Sequence, residues 1–289
     1  GVSYPFTAPA VRPAMKSRWS RRSIADDEPS LILIEPIASE QKQALALEFA
    51  KILETDPYTA RLALPSLEFR MMRHGQARHM QTLHESLNTA DIPNRHVALS
   101  SIQNVPVHDV LYIDSIGDRL IVQVRDPDQQ SIPMTVAWSD VQQRVDGLLP
   151  LFEEVIARNK KGKITRKTET QDHAQICDLH LGHHQGILRF YDAGYQFNQG
   201  MPLVRAETPR MALETKTSWA QWQGLKQILA EHLPDIPQQL KFEHFANSAV
   251  EQIEMLTGLN ARIEILRRHE CYWDQAFHLY SSLHYLRLG

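Results

Sequence analysis

At 289 residues, 43% hydrophobic and 22% charged, the chain has the composition of a folded protein with one large core or about two to three small ones, not of a disordered chain. A formal net charge of -3 excludes a molecule built as a whole to coat nucleic acid or an anionic membrane. No run reaches the roughly 18 consecutive apolar residues of a membrane-spanning helix, and the two cysteines, Cys177 and Cys271, fit a reducing interior better than a disulfide framework.

Residues 1–30 read as a flexible basic arm, with Arg12, Lys16, Arg18, Arg21 and Arg22 all ahead of the first acid, Asp26. The arm lacks the continuous apolar segment of a secretory signal, so the cytoplasm is the expected compartment. LILIEPI, from Leu31, is a strand-length apolar run. Ser39 is the expected N-cap of a helix carrying Leu45, Phe49, Ile52 and Leu53. Asp56-Pro57 opens a short second helix that Pro65 ends. SLEFRMM alternates, with Leu67, Phe69 and Met71 on one face and Glu68 and Arg70 on the other. Gly75 reads as a turn into a helix lined by Met80, Leu83 and Leu87, and RHVALS returns as a strand. A small β-α-β-α-β domain is expected over 31–104.

HDVLYIDSI and RLIVQVRD then form a hairpin through Gly117-Asp118, and SIPMTVAW is a third strand. Ser139 with Gln142 has the spacing of a capping box, which predicts a helix burying Val141, Val145, Leu148 and Leu149 and interrupted at Pro150. HAQICDLHL and GILRFYDAGYQF are strands joined by a turn at Gly182–Gly186. A second box, Ser218 with Gln221, opens a helix expected to bury Trp219, Trp222, Leu225 and Leu229. The expectation for 105–233 is a β-rich, barrel-like domain closed by a helix, similar in layout to pleckstrin-homology barrels. Residues 234–289 read as a helical segment. In it Phe242, Phe245, Ala249, Ile253 and Leu256 form a stripe ended by Gly258, and Trp273, Phe277, Tyr280 and Leu283 form a closing amphipathic helix. The fold class is α+β.

Four stretches invite chemistry. MRHGQA resembles the Arg-His-Gly opening of the histidine phosphatase superfamily, which implies a phosphohydrolase using Arg73 and His74. That chemistry also needs a second arginine and a second histidine in a set order. Here Arg205 follows His183 and His184, where the family has the reverse, so the tripeptide is read as a coincidence and the phosphohydrolase as the alternative. HAQICDLHLGHH offers Cys177, His180 and His183 as zinc ligands. On a strand, however, Cys177 and His180 point to opposite faces, so Cys177 reads as core, His183 and His184 as turn residues, and no metal or other cofactor is expected. Cys271, close to His269 and His278, lacks a strained turn or oxyanion site and reads as a buried thiol. RNKKGKITRK carries Lys160, Lys161, Lys163, Arg166 and Lys167, a site for weak anionic contact; it has no interleaved aromatics for nucleic acid. G-x-x-x-x-G-K-[ST], G-x-G-x-x-G and H-E-x-x-H are all absent from the sequence.

KTETQDHAQICDLHL together with Tyr195–Phe197 resembles an uncharacterised cyanobacterial protein family over about residues 138–197. The resemblance implies a cytoplasmic or membrane-peripheral protein and brings no catalytic residues. The functional expectation is a non-catalytic binding or adaptor protein whose partner is another protein.

Overall fold

A computed structural model describes residues 24–158, 164–204, 217–253 and 273–288, with the side chains of 151–172 and Glu251 outside that description. LILI forms the strand expected of it, β1 (Pro29–Ile34), buried from Ser30 onward. Alternation puts Leu31 and Leu33 on one face and Ile32 and Ile34 on the other, and both faces are covered. β1 is therefore the centre of an antiparallel three-stranded sheet, between β2 (Arg70–Gln76) and β3 (Asn94–Ala98).

The Ile32 face packs under α1 (Ser39–Leu53), α2 (Pro57–Ala63) and α3 (Ala77–Thr89), around Phe49, Leu64, Met80 and Leu87. Asp56 caps α2 as expected, its Oδ1 accepting from the Tyr58 and Thr59 N–H groups at 2.9 and 3.0 Å. Ser39 does not cap α1; it is the first helical residue, after Ala38. Strand β2 lies later than SLEFRMM and contains Gly75, paired with Ser30. No separate turn forms there, because the Ala77 N–H bonds to Glu28 O at 2.8 Å and α3 starts directly. β3 stops at Ala98, and Leu99–Gln103 form a short helix, α4.

A second sheet has seven strands: β4 (Val107–Ile116), β5 (Arg119–Arg125), β6 (Ser131–Ala137), β7 (Val141–Arg158), β8 (Ile164–Leu181), β9 (Gly186–Tyr191) and β10 (Gln238–Gln239). Their order, β10-β7-β8-β9-β4-β5-β6, leaves two edges, so the sheet is open and the expected barrel-like closure does not form. The helix predicted from Ser139 is also absent. A single 3-10 turn, Trp138–Asp140, leads straight into β7, which pairs along its whole length with β8. Val141, Val145 and Leu149 are buried, and a spacing of four satisfies a strand's period of two as well as a helix's turn. Leu148 decides between them: a helix would bury it, and it is 55% exposed.

α5 (Ser218–His232) covers one face of this sheet, with Trp222, Leu225 and Leu229 against Cys177, Leu179 and Phe190. Its cap is Thr217, whose hydroxyl accepts from the Ala220 N–H at 3.2 Å, rather than Ser218, and Trp219 is left 67% exposed. The other face of the large sheet and the Leu31 face of the small one meet on α6 (Phe242–Ile253) and α7 (Trp273–Tyr285). Leu33, Phe69 and Val97 share one core with Val145, Leu149 and Ile176 and with Phe245, Phe277, Tyr280 and Leu283. The layers run helix, small sheet, helix, large sheet, helix. Instead of closing the fold as an amphipathic element, α7 lies at its centre, and every residue from Ala276 to His284 is buried. Leu256 and Gly258 fall outside the described residues. Among the described residues no helix is long and apolar enough to cross a membrane.

Candidate functional site

Polar side chains gather where α7 meets the large sheet. Strand alternation turns Asp178 and His180 of β8 toward α7, and Cys177, Leu179 and Leu181 toward α5. Asp178 lies directly across from Arg189 on β9 and is gripped by it twice, Nε to Oδ1 at 2.8 Å and Nη2 to Oδ2 at 2.6 Å. Burial works against the Arg189 charge, but Asp178 beside it outweighs that and holds the guanidinium above its ordinary pKa. Ser281 of α7 donates to Asp178 Oδ2 at 2.5 Å, and His180 Nε2 lies 2.9 Å from the Ser281 hydroxyl. The other ring nitrogen, Nδ1, is 3.0 Å from the Gln143 amide nitrogen, and Gln143 Oε1 accepts from Gln239 at 3.3 Å.

The direction of this chain follows from its ends. Gln143 uses its oxygen on Gln239, so its nitrogen donates to His180 Nδ1. His180 then carries its proton on Nε2 and donates to Ser281, whose own proton goes to Asp178. Burial pushes the His180 pKa down to about 3, so the ring is neutral. Serine, histidine and aspartate are all present, but the serine proton points at the carboxylate and not at the imidazole. That arrangement cannot make an alkoxide; it holds a buried ion pair in place.

A second cluster ties α7 to the small sheet. Tyr280 donates to Glu68 Oε2 at 2.9 Å, and His284 Nε2 lies 3.5 Å from the same oxygen. Arg287 donates to Glu35 at 2.6 Å, Arg95 pairs with the same carboxylate, and both guanidiniums lie over the Phe69 ring. Glu68 is buried here, not on the outer face that the alternation of SLEFRMM predicts.

Two clefts flank these clusters. One of about 1150 Å³ lies between β3 and the β8–β9 turn, with His84, His96, His184, Ser100 and Tyr285 in its walls. Both nitrogens of His84 and of His96 are engaged, by Asn94 and Asn88 and by Ser30 and Gln81 respectively. The other, about 850 Å³, opens between β4 and β9 over Arg189.

Arg73 and His74 fall inside β2, an edge strand, opposite Ile32 and Leu31. Successive strand residues face opposite ways, so Arg73 shares the Ile32 face and His74 the Leu31 face, and they do not converge on one phosphoryl group. His74 is half-buried, and burial lowers its pKa. His183 and His184 sit exposed in the β8–β9 turn with left-handed φ of 55° and 61°, and His184 reaches the β3 side of the small sheet, the edge opposite β2. Cys177 is sealed in the α5 core, where burial raises its thiol pKa, and His180 faces the other way. Among the described residues no three His, Cys, Asp or Glu side chains are placed to hold a metal ion. Lys160, Lys161 and Lys163 lie outside the described residues, as do Arg205 and Cys271. Arg166 and Lys167 are on β8 with their side chains undescribed.

The sequence reading missed the Asp178–Arg189 pair, although a signal for it was present. Counted outward from the turn at 182–185, the two residues stand opposite each other, the position at which strand partners of opposite charge meet. Ser281 had no such signal, because only the packing of α7 brings it there.

No protein-family model, curated protein or solved structure matches the chain.

Proposed function

We propose that the protein is a non-catalytic binding or adaptor protein of the cytoplasm whose partner is another protein. One observation supports the reading most: the reactive-type side chains that the fold brings within hydrogen-bonding distance are bonded to one another in a sealed core. Ser281, His180 and Asp178 are all within a few per cent of complete burial. The outward-facing clefts beside them are the surfaces open to a partner. Weak anionic contact through Lys160, Lys161, Lys163, Arg166 and Lys167 belongs to the same proposal, with salt expected to weaken it. So does the resemblance of residues 138–197 to the cyanobacterial family, which brings no activity with it.

The test is hydrolysis of p-nitrophenyl phosphate by the wild type and by His74→Ala. Equal, background-level rates are expected from both proteins. Turnover that disappears in His74→Ala would replace this reading with a phosphohydrolase of histidine phosphatase type using Arg73 and His74.

A further inference from the structure

The larger cleft runs along a strand edge. All of β3, Asn94–Ala98, lines it, and β3 is an outer strand of the small sheet, bonded only to β1. In an antiparallel pair, every second residue exchanges main-chain hydrogen bonds with its partner, and the residues between point theirs away. The Glu35 N–H donates to Pro93 O at 2.9 Å, which sets the phase. Arg95 and Val97 therefore bond to Leu33 and Leu31, their register partners. Asn94, His96 and Ala98 turn their N–H groups outward to the cleft, and Asn94 and His96 their C=O groups. No main-chain hydrogen bond among the described residues uses these outward groups.

The other edges of the two sheets are protected. Leu33 spends its main-chain groups on β3, so Met71, its partner on β2, turns its carbonyl outward, where it accepts from Gln252 Nε2 of α6 at 3.1 Å. At the ends of the large sheet, β6 carries Pro133 and β10 is two residues long. Proline, short length and a covering helix are devices that keep a sheet edge from pairing with another chain. β3 has none of them among the described residues. A row of unused donors and acceptors at strand spacing is the template that an extended peptide completes.

The walls select the side chains of such a peptide. A strand beside β3 lies about 4.8 Å from it and turns alternate residues to opposite faces of the sheet. On the Leu31 face they meet Val105, Tyr285 and Leu286, an apolar wall. On the Ile32 face they meet His84 and His96, a polar one. The charged groups of the lining are committed, Arg95 to Glu35 and Glu28 to Ser100. At about 1150 Å³ the cleft exceeds the about 300–1,000 Å³ of most small-molecule sites. We propose that the β3 edge binds an extended, uncharged segment of a partner protein, alternating apolar and polar residues, as a fourth strand of the small sheet. A second copy of this chain fits less well, because Pro106 and His184 form a far wall that a single strand passes and a whole sheet meets. The inference rests on the binding reading above and gives its partner a site and a conformation.

The experiment is amide hydrogen exchange by NMR on the full chain, with capped pentapeptides alternating Thr with Val, Ile, Leu or Phe as probes, at up to about 1 mM. In the free chain the Asn94, His96 and Ala98 amides should exchange faster than those of Arg95 and Val97. At least one peptide should slow those three about tenfold, saturably, and leave Arg95 and Val97 as they were. N-methylation of alternate peptide residues should abolish the effect in one phase and spare it in the other, since only one set of amides faces β3. Ala98→Pro removes an outward N–H where the backbone already has a φ of -70°, and should weaken binding about tenfold. His96→Pro repeats that test if the first variant does not fold. No slowing with any peptide, equal effects of the two methylation patterns, or binding unchanged in the proline variant would each overturn the proposal. So would slow exchange of the three amides in the free chain. Independent of concentration, it would assign the edge to residues 1–23 of the same chain; growing with concentration, to a second copy. The His74→Ala assay is indifferent to all of these outcomes, so the two readings fail separately.

Discussion

His180 sits in the core with a hydrogen bond on each ring nitrogen, and neutrality is the condition of its being there. Burial holds the folded-state pKa at about 3 against an ordinary 6.5. The unfolded chain thus takes up a proton that the folded one refuses. The resulting stability is fully present above pH 6.5 and declines as pH falls toward about 3, by up to about 1.4 kcal/mol per pH unit. His284, lowered chiefly by burial, contributes with the same sign, so a difference measurement is needed. Urea unfolding at about pH 7 and about pH 5 should show a steeper loss for the wild type than for His180→Gln; equal losses would mean the imidazole is charged or solvated. At this scale the sequence was legible only in part. The turn histidines and the buried Cys177 were readable from alternation along one strand. Glu68 and Ser281 were not, because each is buried by an element distant in sequence: Tyr280 and His284, which meet Glu68, lie on α7, and Ser281, itself on α7, meets Asp178 of β8.

Among the elements, β7 shows most plainly how local pattern misleads. Its buried apolar residues Val141, Val145 and Leu149 recur every four residues, a period that a strand and a helix share, and Ser139 with Gln142 adds a helix-start signal just ahead of it. What decides is β8, which offers a full antiparallel ladder and makes strand the conformation that satisfies the backbone. Gly147 fits the same outcome: a Cβ there would lie 2.5 Å from the Phe277 ring, so its bare face is where α7 docks. Neighbouring leucines give the test. Leu149→Ala should cost about 2–5 kcal/mol in urea unfolding and Leu148→Ala no more than about 0.5. Comparable costs for the two would favour the helix. The α5 cap shows the same limit on a smaller scale, since Thr217 and Ser218 are equally good capping residues and only the burial of Trp222 and Gln221 picks between them.

Across the whole molecule, α7 matters most. It bonds to the large sheet through Ser281 and Tyr285, the latter accepting from the Gly186 N–H at 2.9 Å, and to the small-sheet side through Tyr280 and, two residues past its end, Arg287. Its apolar residues belong to a core that both sheets share. Neither sheet can lose that helix without exposing a buried face, so the layers should unfold together. Guanidinium titrations followed by tryptophan fluorescence, which reports chiefly on the α5 side, and by far-UV ellipticity, to which α1–α3 contribute strongly, should give coincident midpoints. A separate early transition in ellipticity would mean that the small sheet and its helices stand alone.

By itself the sequence determined the α+β class, the first strand, the Gly117-Asp118 hairpin, the β8–β9 turn and the capped start of α2. These depend on contacts within a few residues, where periodicity and turn chemistry leave one choice. Tertiary structure alone decided that 141–158 is a strand, that the seven strands stay open, that the last helix lies at the centre, and that Ser281 of that helix meets Asp178 and His180. Each of these depends on which distant face is available to cover which, and a residue's own neighbours along the chain carry no record of that.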